Sequence, residues 1–114
     1  MIGLIGCGGH AKRHIKYLQE LGQEVILYHP TKHPDFQKLF DCDGVVISSP
    51  TNTHMDYIRK LSEYHGKIYL EKPGFANPDE AFELGKCGLN IMIGYHYPHT
   101  ILNKISQMIK GETI

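Results

Sequence analysis

Met1-Ile2-Gly3-Leu4-Ile5-Gly6-Cys7-Gly8-Gly9-His10-Ala11 carries the most diagnostic pattern in the sequence. A short apolar run (Ile2, Leu4, Ile5) breaks into glycines. Ala11, Ile15, Leu18 and Leu21 then recur at helical spacing, and Gly22 follows as a stop. Read as G-x-G-x-x-A, this is the strand, glycine turn and helix start of a dinucleotide-binding βαβ unit. Gly6 allows the tight turn, Gly8 lets backbone approach a pyrophosphate, and Ala11 lets the helix lie close to the strand. The free N–H groups of the helix start, from Gly9 and His10, face the phosphates. A plain βα turn has the same pattern, but a position directly behind the first strand favours nucleotide binding.

Working outward, Val25-Ile26-Leu27, Val45-Val46-Ile47, Ile68-Tyr69-Leu70 and Ile91-Met92-Ile93 are four more short apolar runs. Asp35 to Phe40 has room for only a turn or two of helix. Asn52 or Thr53 is placed to cap a helix carrying Met55, Ile58 and Leu61. Asn77-Pro78-Asp79-Glu80 reads as a cap, a first-turn proline and an acidic first turn, opening a helix through Ala81, Leu84 and Cys87. Ile101, Leu102, Ile105, Met108 and Ile109 mark an amphipathic last helix before Gly111. Unbroken apolar strands alternating with helices predict a doubly wound parallel sheet of about five strands, a Rossmann-like three-layer αβα fold. The expected strand order is 3-2-1-4-5, with the ligand crevice at the carboxyl ends of the strands.

The 114 residues fit one domain, spanning 1–114. Twelve Lys and Arg balance twelve Asp and Glu, which argues against a nucleic-acid or membrane surface. Three cysteines (Cys7, Cys42, Cys87) without C-x-x-C spacing and without a leading signal segment point to a reducing cytoplasm. His10 and His14 share a helix face, yet no thiolate or carboxylate partner for a metal is evident in the sequence, and no metal is expected.

The strand-end loops carry the specific signal. Ser48-Ser49-Pro50-Thr51-Asn52-Thr53-His54 follows the third strand, Glu71-Lys72-Pro73 the fourth and Gly94-Tyr95 the fifth. Together with Gly6, Gly8 and His14, these resemble the Gfo/Idh/MocA family of NAD(P)-dependent oxidoreductases across essentially the whole chain. The resemblance implies hydride transfer between NAD(P) and a sugar, cyclitol or similar small hydroxyl or carbonyl compound. It places Lys72 beside the nicotinamide and the reacting carbon, where an ammonium stabilises developing negative charge and can transfer a proton. Pro73 fixes the backbone behind it. His54 either lines the cofactor side of the crevice or caps and packs its helix, and His14 packs near the glycine loop. Tyr95, His96, Tyr97 and His99 stand where the family points towards substrate, often with Asn and Arg at the positions of His96 and Tyr97.

Cofactor choice is written after the second strand, where an acidic residue would hold the ribose of NAD. Here Tyr28-His29-Pro30-Thr31-Lys32-His33 offers no carboxylate before Asp35. The reading therefore leans to NADP over NAD, with Thr31 and Lys32 on the 2′-phosphate and His29 beside them. Two departures from the family stand out: a short connection between strands two and three, and an end at Gly111-Glu112-Thr113-Ile114, where the family passes into a large sheet domain. That domain supplies the substrate floor, a catalytic aspartate and histidine, and usually the oligomer interface. The expectation is a site incomplete by itself. It belongs to a fragment, to one component of a split enzyme, or to a non-catalytic module that binds a dinucleotide or docks a protein. The apolar last helix favours a homo-oligomer or a further domain over a free monomer.

Overall fold

The computed structural model describes residues 1–6, 9–71 and 74–94, with Gly9 and His10 described through their backbone only. The expected last helix around Ile101–Ile109 lies outside the described residues. Five parallel strands, β1 (Ile2–Ile5), β2 (Val25–Tyr28), β3 (Gly44–Ile47), β4 (Lys67–Glu71) and β5 (Asn90–Gly94), form one sheet. Three helices connect them: α1 (Gly9–Glu20), α2 (His54–Lys60) and α3 (Pro78–Lys86), with 3-10 turns at Phe36–Asp41 and Thr51–Thr53. No helix among the described residues is long and apolar enough to cross a membrane.

The order is β2-β1-β3-β4-β5, not the expected 3-2-1-4-5. The burial of the two strands follows this order. All four residues of β3 are buried, whereas Val25, Ile26 and Leu27 of β2 are only half-buried. β3 takes the interior position beside β1, and β2 is left at the edge. The segment between them contributes only the six-residue 3-10 helix, whose Leu39 is fully buried. Leu39 fits over β1 at Gly3, where a Cβ would come within 2.6 Å of its Cδ2.

Alternation along the strands sends side chains to two cores. On one face Ile5, Val45, Ile47, Ile68 and Leu70 meet Leu39 and the Met55, Ile58 and Leu61 of α2 and its C-terminal turn, with Leu84 of α3 packed against them. Tyr28, Phe36, Phe40, Tyr57 and Tyr64 join this core through mostly edge-to-face ring contacts, filling the space above the short β2–β3 connection. On the other face Ile2, Leu4, Val46 and Tyr69 pack against Ala11 and Leu18 of α1.

Local chemistry sets the helix ends. Gly22, at φ +80°, terminates α1: its N–H bonds the Gln19 carbonyl, and the Gln23 N–H bonds that of Leu18, a Schellman pattern. Asn77 caps α3 by accepting from the Glu80 N–H (3.0 Å), while Glu80 accepts from the Ala76 N–H (2.8 Å). Thr53 occupies the cap position of α2 but makes no cap bond. The 3-10 turn before it redirects its hydroxyl to the Pro50 carbonyl (2.6 Å) and the Ser49 hydroxyl (2.8 Å).

Candidate functional site

In this topology the parallel strand order runs from β1 out to β2 on one side and from β3 to β5 on the other, and the crevice of an open α/β sheet forms at the carboxyl ends of the pair where the order reverses, β1 and β3. Two backbone bonds define its floor: Gly6 N–H to the Tyr28 carbonyl (3.1 Å) and Ser48 N–H to that of Ile5 (2.8 Å). Gly6 lies at φ +121°, and a Cβ there would stand 2.9 Å from the Ser48 carbonyl oxygen. Only glycine suits both the conformation and the approach. Behind it α1 begins with no acidic residue in its first turn, leaving its N-terminal dipole available to an anion. Ala11 is fully buried against the sheet, so its smallness serves helix packing. Gly8 lies outside the described residues.

A buried polar network crosses the same place. His14 of α1 lies with Nε2 2.6 Å from Glu71 Oε1 at the end of β4. Ser48, just past β3, donates to the other carboxylate oxygen at 2.9 Å. His14 is 3% exposed and Glu71 9%, so the carboxylate is held by two elements rather than by water. His14 Nδ1 has no hydrogen-bond partner among the described residues. The ring also meets Tyr69 edge-on at 6.3 Å, and burial together with Glu71 pushes the Tyr69 hydroxyl up to about 12. Thus His14 is buried as one arm of a three-residue network with Glu71 and Ser48. Its place on the buried stripe of α1, between Ala11 and Leu18, is the sequence signal that it needs a polar partner.

His54, at the start of α2, is 1% exposed. Its Nε2 stands 2.9 Å from the Ser49 carbonyl and its Nδ1 3.3 Å from the carbonyl of Gly74, two acceptors of which the neutral ring's single N–H serves one at a time. One ring therefore joins the loop after β3 to the loop after β4. Of the expected Ser48–Asn52 segment, Ser48, Ser49 and Thr51 are half-buried, while Pro50 and Asn52 are exposed at the mouth. Lys72, Pro73, Tyr95, His96, Tyr97 and His99 lie outside the described residues. Their neighbours Glu71, Gly74 and Gly94 are at the crevice end of the sheet.

Beyond β2 the chain folds into a tight loop. His29 N–H and His33 N–H bond each other's carbonyls at 2.9 and 3.1 Å. Inside it, the N–H groups of Thr31 (3.2 Å) and Lys32 (3.3 Å) both point to His29 Nδ1, with the Thr31 hydroxyl at 3.1 Å. These donors converge beside an exposed lysine, one residue beyond the Tyr28 carbonyl that anchors Gly6. An open groove of about 440 Å³ runs from Lys32 along the β2 edge to Lys38. Among the described residues no three His, Cys, Asp or Glu side chains come together as a metal site.

Comparison with known proteins accords with this architecture. Similar solved structures include the WlbA dehydrogenase from Chromobacterium violaceum in complex with NADH and UDP-GlcNAcA, at 19% identity and TM-score 0.65, covering 82% of this chain and 34% of that one. The UDP-N-acetylglucosamine 3-dehydrogenase GnnA from Acidithiobacillus ferrooxidans matches at 21% identity and TM-score 0.67, over 82% and 37%. The apo scyllo-inositol dehydrogenase from Lactobacillus casei matches at 20% identity and TM-score 0.58, over 82% and 35%. The chain thus spans about a third of the length of these structures, and at such identities they show the shared fold. No curated protein sequence matches it. Residues 27–88 match the model of the oxidoreductase family with the NAD-binding Rossmann fold, Gfo/Idh/MocA. That match begins after the glycine turn and so rests on the other motifs. As it takes in more than half of the chain, including Pro50–His54 and Glu71–Pro73, this chain belongs to the Gfo/Idh/MocA oxidoreductase family and forms its NAD-binding Rossmann domain.

Proposed function

We propose that the chain holds NAD(P) across the β1–β3 crevice for hydride transfer to or from a sugar-like hydroxyl or carbonyl compound. The observation that carries this is the cradle at Gly6, where a Cβ would strike the Ser48 carbonyl and where α1 begins without acidic residues. Gly6, Gly8, Gly9 and His10 would supply the pyrophosphate turn and Ala11 the close helix packing beneath it. Ser48, Ser49, Pro50, Thr51 and Asn52 would line the opposite wall, with His54 and Glu71 behind. The bound dinucleotide supplies the hydride chemistry, and everything else falls to side chains. Lys72 is the residue assigned to the reacting carbon, where its ammonium offsets alkoxide charge and passes a proton. Pro73 restricts the backbone after it.

The same reading assigns the 2′-phosphate of NADP to the loop after β2. Two backbone N–H groups, the Thr31 hydroxyl and Lys32 gather around His29, and no carboxylate occurs between Tyr28 and Asp35. Sugar dehydrogenases among the similar structures support a sugar-like substrate, its site completed by a further domain or a partner chain, including a second copy. The three scattered cysteines support a reducing, cytoplasmic setting.

Calorimetric titration of the chain with NADPH and with NADH tests this. Saturable binding with NADPH the tighter is expected, and Lys32→Glu should weaken NADPH more than NADH. Equal loss for both, or none, would overturn the 2′-phosphate assignment. Binding of neither by the folded chain would overturn the whole reading and turn the search to a protein partner.

A further inference from the structure

β2 ends the sheet, and its outer edge is open over a defined length. The Ile2 N–H bonds the Glu24 carbonyl at 2.8 Å, and the Gly6 N–H bonds that of Tyr28 at 3.1 Å. Backbone groups alternate sides along the parallel ladder from Ile2–Val25 to Ile5–Tyr28, so those of Ile26 and Tyr28 face β1 while those of Val25 and Leu27 face outwards. The next outward residue, His29, is occupied: its N–H and its carbonyl are both bonded to His33, at 2.9 and 3.1 Å. The preceding one, Gln23, gives its N–H to the Leu18 carbonyl at 2.9 Å. Among the described residues the open edge is therefore Val25 and Leu27, two N–H donors and two carbonyl acceptors that meet no strand. Beside it runs the groove of about 440 Å³, where half-buried Val25, Ile26 and Leu27 lie next to the exposed Lys32, Asp35 and Lys38.

We infer that this edge pairs with the same edge of a second copy of the chain, antiparallel about a two-fold axis at Ile26. One register uses every open group: Val25 opposite the partner's Leu27 and Leu27 opposite the partner's Val25, two hydrogen-bonded pairs that exchange all their N–H and carbonyl groups. Setting Leu27 opposite Leu27 would bring Val25 to His29, and setting Val25 opposite Val25 would bring Leu27 to Gln23, both of which are already bonded. At the axis the two Ile26 side chains meet in the close, non-hydrogen-bonded position. Ile26 lines the groove and, among the described residues, joins neither core, so this contact completes its burial. Charge favours the same occupant. The groove carries both signs, and the exposed Glu24 at the start of β2 falls opposite the partner's Tyr28, next to the loop that carries Lys32. Such a surface is complementary to itself rather than to a polyanion. An unpaired strand edge is a template for another chain, and a two-fold closes the contact after two copies, joining two five-stranded sheets into one. An interface built on so short an edge belongs to the weak class, with a dissociation constant of roughly 10 µM to 1 mM.

Sedimentation equilibrium of the full chain from about 1 µM to about 1 mM should show the mass rising from one copy to two and no further. Amide hydrogen exchange followed by NMR over the same range identifies the surface. At low concentration Ile26 should be protected while Val25 and Leu27 exchange freely, and on association the latter two should slow by about tenfold. Leu27→Pro removes the outward donor of each copy at a position where an edge strand admits proline, and should remain a single copy throughout. Asp35→Lys changes a side chain that makes no cap bond, leaves the strand untouched and makes the groove more basic, so it should raise the dissociation constant about tenfold. It decides the matter where circular dichroism shows that Leu27→Pro does not fold. A parent that stays a single copy at every concentration would overturn the inference and make the His29–His33 bridge a guard of the edge. A dimer in which Val25 and Leu27 still exchange freely would overturn it too, since association would then use another face. So would open-ended growth beyond two copies, or association unchanged in the folded variants.

Discussion

Three glycines in this chain differ in only two respects, backbone angle and space, so replacing each by alanine separates the two effects. Gly85 lies within α3 with nothing near its missing Cβ, Gly22 has φ +80° with open space, and Gly6 has φ +121° with the Ser48 carbonyl oxygen 2.9 Å away. Gly85→Ala should stabilise by roughly 0.5–1 kcal/mol through helix propensity alone. Gly22→Ala pays only for a left-handed alanine, about 1 kcal/mol. Gly6→Ala pays a larger conformational cost of roughly 1–3 kcal/mol, because its φ lies beyond the left-handed helical well. It also pays about 1–3 kcal/mol to push back the Ser48 backbone. The central expectation is about 4 kcal/mol, against a total of roughly 5–15 kcal/mol for a domain of this kind. In a chain of this length each kcal/mol moves the melting temperature by roughly 4 °C. Thermal unfolding followed by circular dichroism should therefore show Gly85→Ala a few degrees up, Gly22→Ala a few degrees down and Gly6→Ala lower by more than 10 °C on the same scale. A Gly6→Ala protein no less stable than Gly22→Ala would refute the argument that the turn is shaped by contact with Ser48.

Other expectations follow from buried polar groups. Tyr64 donates its hydroxyl to the Cys42 carbonyl at 2.8 Å, so Tyr64→Phe should cost about 1–2 kcal/mol in urea unfolding, and an unchanged midpoint would contradict that bond. Burial raises the hydroxyls of Tyr57, Tyr64 and Tyr69, the last to about 12, so the folded state keeps protons that the unfolded chain releases from about pH 10. These three groups make stability fall above pH 10, by about 1.4 kcal/mol per pH unit for each, and the buried Cys42 thiol, pushed up to about 11, begins the fall near pH 9. Urea midpoints at pH 8, 10 and 11 check this, and Tyr69→Phe should flatten the decline. Cys42 is buried and pushed up to about 11, whereas Cys87 borders a cleft of about 290 Å³ between α2 and α3. In a Cys7→Ser background, alkylation at pH 8 should label Cys87 first and reach Cys42 only on unfolding; early labelling of Cys42 would place its thiol wrongly.

Features encoded locally were legible in the sequence. The five strands follow from runs of adjacent apolar residues, and the start of α3 from Asn77-Pro78-Asp79-Glu80, whose cap bonds span only three or four residues. The strand order was not legible, because placing β3 inside and β2 outside is a competition for burial between distant segments. Thr53 shows a similar limit: a good capping residue at the right position turned to Pro50 and Ser49 because a 3-10 turn preceded the helix. In the site, Gly6 was readable as a turn residue, while its reason, the Ser48 backbone, required the fold. The His14–Glu71 contact joins residues 57 apart. Each end gave a hint, a polar residue on an apolar helix stripe and a carboxylate closing an apolar strand, but only the topology brings them together. The arrangement of His29, Thr31 and Lys32 depends on a loop closed by His29 and His33, which no periodicity announces.

The register of the sheet bears on how the chain assembles. Ile2 lies opposite Val25, Gly44 opposite Lys67 and Lys67 opposite Asn90, so three of the four ladders join residues 23 apart. The fourth, β1 with β3, sets Ile2 opposite Gly44, a separation of 42. Closing the longer loop costs only about 0.5 kcal/mol more. Kinetically, however, each half can nucleate from nearer contacts, a β1–β2 unit and a β3–β4–β5 unit, before the two meet. The joint that closes last is then the seam between β1 and β3, where Gly6 meets Ser48. Anything that binds across that seam favours the joined halves over the parted ones, so occupancy and completion of the fold would reinforce each other.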